Sequence, residues 1–147
     1  MTVTAREIAD VLAVGGAAPR SFADLERVIE RGLAVSSLDA LRAALTVPSG
    51  AGDVELSCIR AIVSEPTLRR RRQQGRLSPD ESDKAERLAA IIALARQVLG
   101  DEDRSRRFLT TPHTLLDGRA PAIVATTDAG ARRVEEILRR VEWGLPA

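Results

Sequence analysis

The phrase Ser78-Pro79-Asp80-Glu81 constrains this chain more than any other four residues. Serine at a helix N-cap accepts a hydrogen bond from an otherwise orphaned backbone N–H of the first turn. Glutamate three residues later reaches back to the cap's own N–H. Proline at the first helical position lacks only a donor that would have no partner anyway. The serine cap alone is worth about 1 kcal/mol. Behind it, neither glycine nor proline interrupts the chain from Asp80 to Leu99, and Gly100 follows. The pattern predicts a helix over residues 79–99. Leu88, Ile91, Ile92, Ala95, Val98 and Leu99 form its expected apolar stripe.

The rest of the chain repeats that grammar. Thr4 with Glu7 starts a helix that runs to Ala13. Ser21 with Asp24 caps another that carries Phe22, Leu25, Val28 and Ile29 at helical spacing to Arg31, and Gly32 stops it. Ser37 is expected to cap Leu38–Leu45, and Pro48-Ser49-Gly50-Ala51-Gly52 reads as a turn. Further helices are predicted from Asp53 to about Val63 and from Ser64 or Glu65 to about Gln74. Asp101 starts a short helix with Phe108 and Leu109 turned inward, ended by Thr111-Pro112. His113–Arg119 reads as a loop and Ala120–Ala125 as one or two helical turns. Thr127 caps a last helix that buries Val134, Ile137, Leu138 and Val141. No segment alternates polar and apolar residues, so the fold class is all-α.

Composition narrows the function. The only aromatics are Phe22, Phe108 and Trp143, so the core must be built from Leu, Ile, Val and Ala. Cys58 and His113 are each the single residue of their type, which removes disulfides and Cys/His zinc sites and leaves no catalytic constellation. No catalytic residue, metal or cofactor is expected. Cys58 reads as a small core residue and His113 as a loop residue. No run of 18 apolar residues exists, and Arg6, Glu7 and Asp10 spoil a secretory leader, so a cytoplasmic location is expected. Net charge is only +1, but residues 64–76 carry five arginines against one acid. Such a basic helix suits phosphate binding or pairing with neighbouring carboxylates.

The second half of the chain resembles the toxin-binding domain of Xre/MbcA/ParS-type antitoxins. The resemblance rests on an ordered series of phrases. These are Arg76-Leu77-Ser78-Pro79-Asp80-Glu81-Ser82-Asp83, Arg87-Leu88 with Ala95, Gly100-Asp101, and Phe108-Leu109 before Thr111-Pro112. They continue with Leu116-Asp117-Gly118-Arg119-Ala120-Pro121, then Gly130 with Val134, and close on Glu142-Trp143-Gly144. The series covers about half the chain. Just before it, Thr67-Leu68-Arg69-Arg70-Arg71 resembles a phrase of the Xre-like helix-turn-helix that such proteins carry. Ile62 and Val63 stand where that motif usually has its turn glycine, and the Pro48–Gly52 stretch looks inserted.

The resemblance implies three regions: an arm or short helix over 1–20, a helix-turn-helix-like region over 21–76, and a toxin-binding domain over 77–147. It implies an antitoxin that inhibits a RES-domain, NAD-consuming toxin by covering its active site with the C-terminal region. It also implies operator DNA as a second partner and a homodimer within a toxin–antitoxin assembly. Thr67, Arg69, Arg70, Arg71 and Arg72 are the DNA-binding candidates. Arg119, Glu135, Arg139, Glu142, Trp143, Gly144, Leu145, Pro146 and Ala147 are the toxin-binding candidates. The alternative is a stand-alone helix-turn-helix regulator whose C-terminal half serves dimerisation.

Overall fold

A computed structural model describes residues 2–48 and 53–145. From Ser49 on, the turn expected at Pro48–Gly52 lies outside the described residues, as do Pro146 and Ala147. The described residues form α1 (Ala5–Val11), α2 (Phe22–Arg31), α3 (Ser36–Leu45), α4 (Asp53–Ile62) and α5 (Glu65–Gln74). These are followed by α6 (Pro79–Leu99), α7 (Glu102–Thr110), a single 3₁₀ turn at Thr114–Leu116, α8 (Pro121–Val124) and α9 (Asp128–Glu142). No strand occurs among them; pairing is limited to the isolated bridges Ala34–Arg76 and His113–Arg119. The chain is all-α, as its patterning predicts.

The caps behave as read. Ser78 Oγ accepts from Glu81 N at 3.1 Å, and Ser78 N donates to Glu81 Oε1 at 2.8 Å. Thr4 and Glu7 form the same reciprocal box at α1. Ser21, Asp101 and Thr127 cap α2, α7 and α9 with their side-chain oxygens.

α6 is the axis of the molecule. It packs against α9, α1, α7, α2, α3 and α4. The expected one-sided stripe is therefore wrong in form. Leu88, Ala89, Ile91, Ile92, Ala93, Leu94 and Ala95 are all buried, while Val98 and Leu99 are only partly covered. A helix enclosed on most sides needs apolar residues most of the way round. The small residues Ala85, Ala89 and Ala93 serve here because they keep the packing close. α1 belongs to this core: Ile8, Val11 and Leu12 are buried, and Gln97 on α6 donates to Glu7 at 2.6 Å.

The segment between α2 and α3 is stitched to the start of α6. Leu77 N donates to Leu33 O at 2.8 Å, and Val35 N donates to Gly75 O at 3.2 Å. Leu33 N donates to the buried Ser82 Oγ at 2.9 Å. Gly32 permits this approach: its φ is +91°, and a Cβ there would lie 2.3 Å from Leu77 O. The same stitching explains a missed boundary. Ser37 does not cap α3; the helix starts at Ser36 after Val35, with no side-chain cap, and Ser37 is buried within it. The incoming backbone is already held by residues 75–77, so the helix begins without a serine's help. Phe108 and Val141, both expected inside, are half-buried, while Leu109 is fully enclosed.

Candidate functional site

Two features stand apart from the packed body: the arginine helix α5 and the exposed end of α9.

No residue of α5 is buried. Leu68 is its one apolar contact with the core. A helix so polar on all sides gains little from packing and is suited to contact something outside the chain. Ser64 and Pro66 open it, and Gly75 ends it in the left-handed region with its N–H on Arg71 O at 2.7 Å. Successive residues turn by about 100°, so Leu68 and Arg71, three apart, share the inward side. Arg71 Nε lies 2.8 Å from Glu81 Oε1, Arg71 Nη2 lies 3.3 Å from Glu81 Oε2, and Arg71 Nη1 donates to Gln74 at 3.0 Å. The fork is bidentate and its partner is the capping glutamate of α6. Burial pushes the Glu81 carboxyl up. The Arg71 guanidinium and the Ser78 backbone N–H outweigh that and hold it below the usual carboxylate range.

The five residues read as one DNA-binding set thus divide. Arg71 is a structural link between α5 and α6. Thr67 is half-buried, and its Oγ1 accepts from Ser64 Oγ at 2.9 Å. Arg72 faces solvent with a loose pairing to Asp39 at 3.4 Å. Arg69 and Arg70 are exposed, with no side-chain hydrogen bond or ion pair among the described residues. Of the five candidates they are the two most available to an anionic ligand.

α9 buries Val134, Ile137 and Leu138 against the core and turns a charged face outward. Arg139 bridges Glu142 at 3.0 Å, whose side chain is only 12% exposed, and Glu135 at 3.6 Å, bringing three of the candidate residues together. The chain then folds back over the helix end. Gly144 N donates to Val141 O, and Leu145 N donates to Arg140 O at 2.8 Å. This leaves Trp143 77% exposed and Leu145 57% exposed. Trp143 therefore does not pack on its own helix. Arg119 is exposed in the turn before α8. That turn is fastened to α9 by Arg133, which donates to Leu115 O at 3.0 Å and to Asp117 at 3.3 Å. Sequence reasoning missed Leu115, which is 47% exposed and borders a groove with Arg133, Glu136 and Arg140 that ends one turn before Trp143. Leu115-Leu116 is a plain pair in the sequence, and nothing local tells which of the two faces inward; it is Leu116.

The single histidine and cysteine are structural. His113 Nδ1 accepts from Leu115 N at 3.1 Å, with the ring edge-on to Phe108. Cys58 is fully enclosed, and burial pushes its thiol up to about 12. No cluster of His, Cys, Asp or Glu among the described residues could hold a metal ion. No helix among them is long and apolar enough to cross a membrane.

Comparison with known families places α5 and the end of α9 in two different matched domains. Residues 24–90 match the Antitoxin Xre-like helix-turn-helix domain, and residues 94–144 match the Antitoxin Xre/MbcA/ParS C-terminal toxin-binding domain. Both matches divide within α6, which supplies the packing surface for each half. Among curated proteins, the chain is 27% identical over 118 residues to an antitoxin Xre of Yersinia enterocolitica, covering 80% of this chain and 77% of that protein. It is 37% identical over 68 residues to an antitoxin Xre of Pseudomonas putida, covering 46% of this chain and 43% of that protein.

Proposed function

We propose, from the premise that this chain belongs to the Xre/MbcA/ParS antitoxin family and carries both of its domains, that it neutralises a RES-domain, NAD-consuming toxin and represses its own operon. The observation that carries the inhibitory half is the exposed Trp143 at the end of a well-packed helix. Tryptophan gains most from being buried in a partner's pocket, and a tryptophan left in water by its own fold is a natural anchor. Glu142 directly precedes it and Glu135 lies about two turns earlier on α9, both paired with Arg139. Carboxylates so arranged suit the cationic groups that an NAD-binding cleft keeps for phosphates. Gly144 and Leu145 extend the anchor, and Pro146 and Ala147 follow in the sequence. Arg119 and Leu115 form a second contact zone beside α9.

The decisive experiment titrates this chain into a RES-domain toxin from the same genome and follows NAD consumption. Activity should fall to background near a fixed molar ratio. Undiminished consumption with no complex on gel filtration would leave a helix-turn-helix regulator whose C-terminal half serves dimerisation.

The DNA-binding half rests on Arg69 and Arg70, which face outward on α5 with Arg72 beside them. Two copies, each presenting α5 to a major groove about 34 Å apart, would read a two-fold operator. Replacing Arg69 and Arg70 together with alanine should weaken binding to the promoter fragment. It should also lower the slope of log K against log salt by about 1.8, the value for two lost phosphate contacts. Arg71→Ala should instead lower stability, by about 2 kcal/mol, because Glu81 loses its partner. Fluorescence anisotropy across a salt series and urea unfolding separate the two effects. An unchanged slope in the double variant removes Arg69 and Arg70 from the interface.

A further inference from the structure

Most acidic side chains among the described residues are matched with an arginine; of the seven that are not, Glu7, Asp10 and Asp53 are scattered and the other four share one place. Asp24, Asp39, Glu55, Glu65, Glu81 and Asp83 each lie within 4 Å of a guanidinium, and so do the acids of α7 and α9 and Asp117. Glu26, Glu30, Asp80 and Glu86 have no such partner among the described residues. All four line a single open groove between α2 and the first turns of α6. Its apolar lining is Phe22, Leu25, Ile29 and Pro79. Phe22 is 56% exposed, although it opens a helix whose Leu25 is fully buried. Glu86 is half-buried there without a hydrogen bond. Its burial, reinforced by the charge of Asp83, pushes its carboxyl above the usual range.

We propose that this groove docks a cationic, amphipathic segment of a partner protein, with its arginine or lysine side chains on Glu26, Glu30, Asp80 and Glu86 and an apolar side chain against Phe22. Apolar side chains beside unpaired carboxylates give both halves of such recognition: area for affinity and charge for orientation. Nucleic acid is disfavoured, because its phosphates would meet four negative groups. A two-fold contact with a second copy would set these carboxylates against their own counterparts. The groove shares no residue with the Arg69–Arg70 face or with the Trp143 end. It is thus a third surface, and its test is independent of the toxin and operator assignments.

The test uses the full chain and a short labelled peptide of arginine, leucine and alanine that forms an amphipathic helix. Anisotropy should report saturable binding, and backbone NMR shifts should move around Phe22, Ile29 and Glu86. Glu30→Gln with Glu86→Gln should weaken binding about tenfold, and Phe22→Ala should do likewise. Unchanged circular dichroism would confirm that these variants fold. A peptide with serine in place of leucine should lose the binding. Equal binding of the serine peptide, or of Phe22→Ala, would reduce the effect to charge attraction and overturn the proposal. Shifts centred elsewhere would also overturn it. So would a concentration-dependent dimer in sedimentation that the double glutamine variant abolishes, since the occupant would then be a second copy.

Discussion

Gly130→Ala is expected to destabilise the protein by about 3 kcal/mol or more, an overpacking cost at the high end for a single methyl group. A Cβ at Gly130 would lie 1.8 Å from Val124 O and 2.8 Å from both Val124 C and Thr127 Oγ1. Two of those three atoms are backbone of α8, which cannot rotate aside as a side chain can. Relief requires α9 to move off α8, and α9 is among the main packing partners of α6. Gly15→Ala is the control: nothing lies within 4 Å of its Cβ position, and its φ is ordinary. It should be neutral or slightly stabilising, by up to about 1 kcal/mol, through the unfolded state. Urea unfolding of the two variants checks this. For a chain of this length the Gly130 variant should also melt roughly 10 °C lower. Equal midpoints would mean that α8 and α9 do not meet in solution as they do here.

Trp143→Ala is expected to have the opposite profile. With 77% of the residue in water, its loss should change stability by less than about 0.5 kcal/mol. Toxin affinity, in contrast, should fall by about 2 kcal/mol or more, roughly 30-fold, if Trp143 fills a pocket on the toxin as a central anchor does. Isothermal titration against the toxin, beside thermal unfolding of the free antitoxin, reads both quantities. A variant that melts lower yet inhibits normally would make Trp143 a structural residue and move the inhibitory contact to Leu115 and Arg119. Trp143→Phe should recover part of the affinity, because much of the ring area returns.

The two profiles reflect where each residue's role was legible. The aromatic end of the chain stood out in the sequence through its resemblance to the toxin-binding domain. Its exposure did not, since Trp143 follows Val141 on a helix that looks uniformly amphipathic. Gly130 is legible in the sequence only as part of the resemblance, with Val134, and not as the point where two backbones touch. Nor did the sequence announce the carboxylate groove. Its members come from α2 and α6, some fifty residues apart, and each alone reads as an ordinary solvated acid.

The arginine run shows the division most plainly. Four consecutive arginines were one motif on the page; in space Arg71 belongs to the fold, while Arg69 and Arg70 are left to a ligand. The all-α class and most of the helix starts follow from local sequence, because a cap is an exchange of hydrogen bonds within about four residues and its chemistry is local. Thr4, Ser21, Ser78, Asp101 and Thr127 were all readable in that way. Tertiary structure alone decided that α6 is enclosed, that Ser37 caps nothing and that Arg71 faces Glu81. Each of those depends on which distant segments arrive beside it, and burial and ion pairing are properties of neighbours in space, not in sequence.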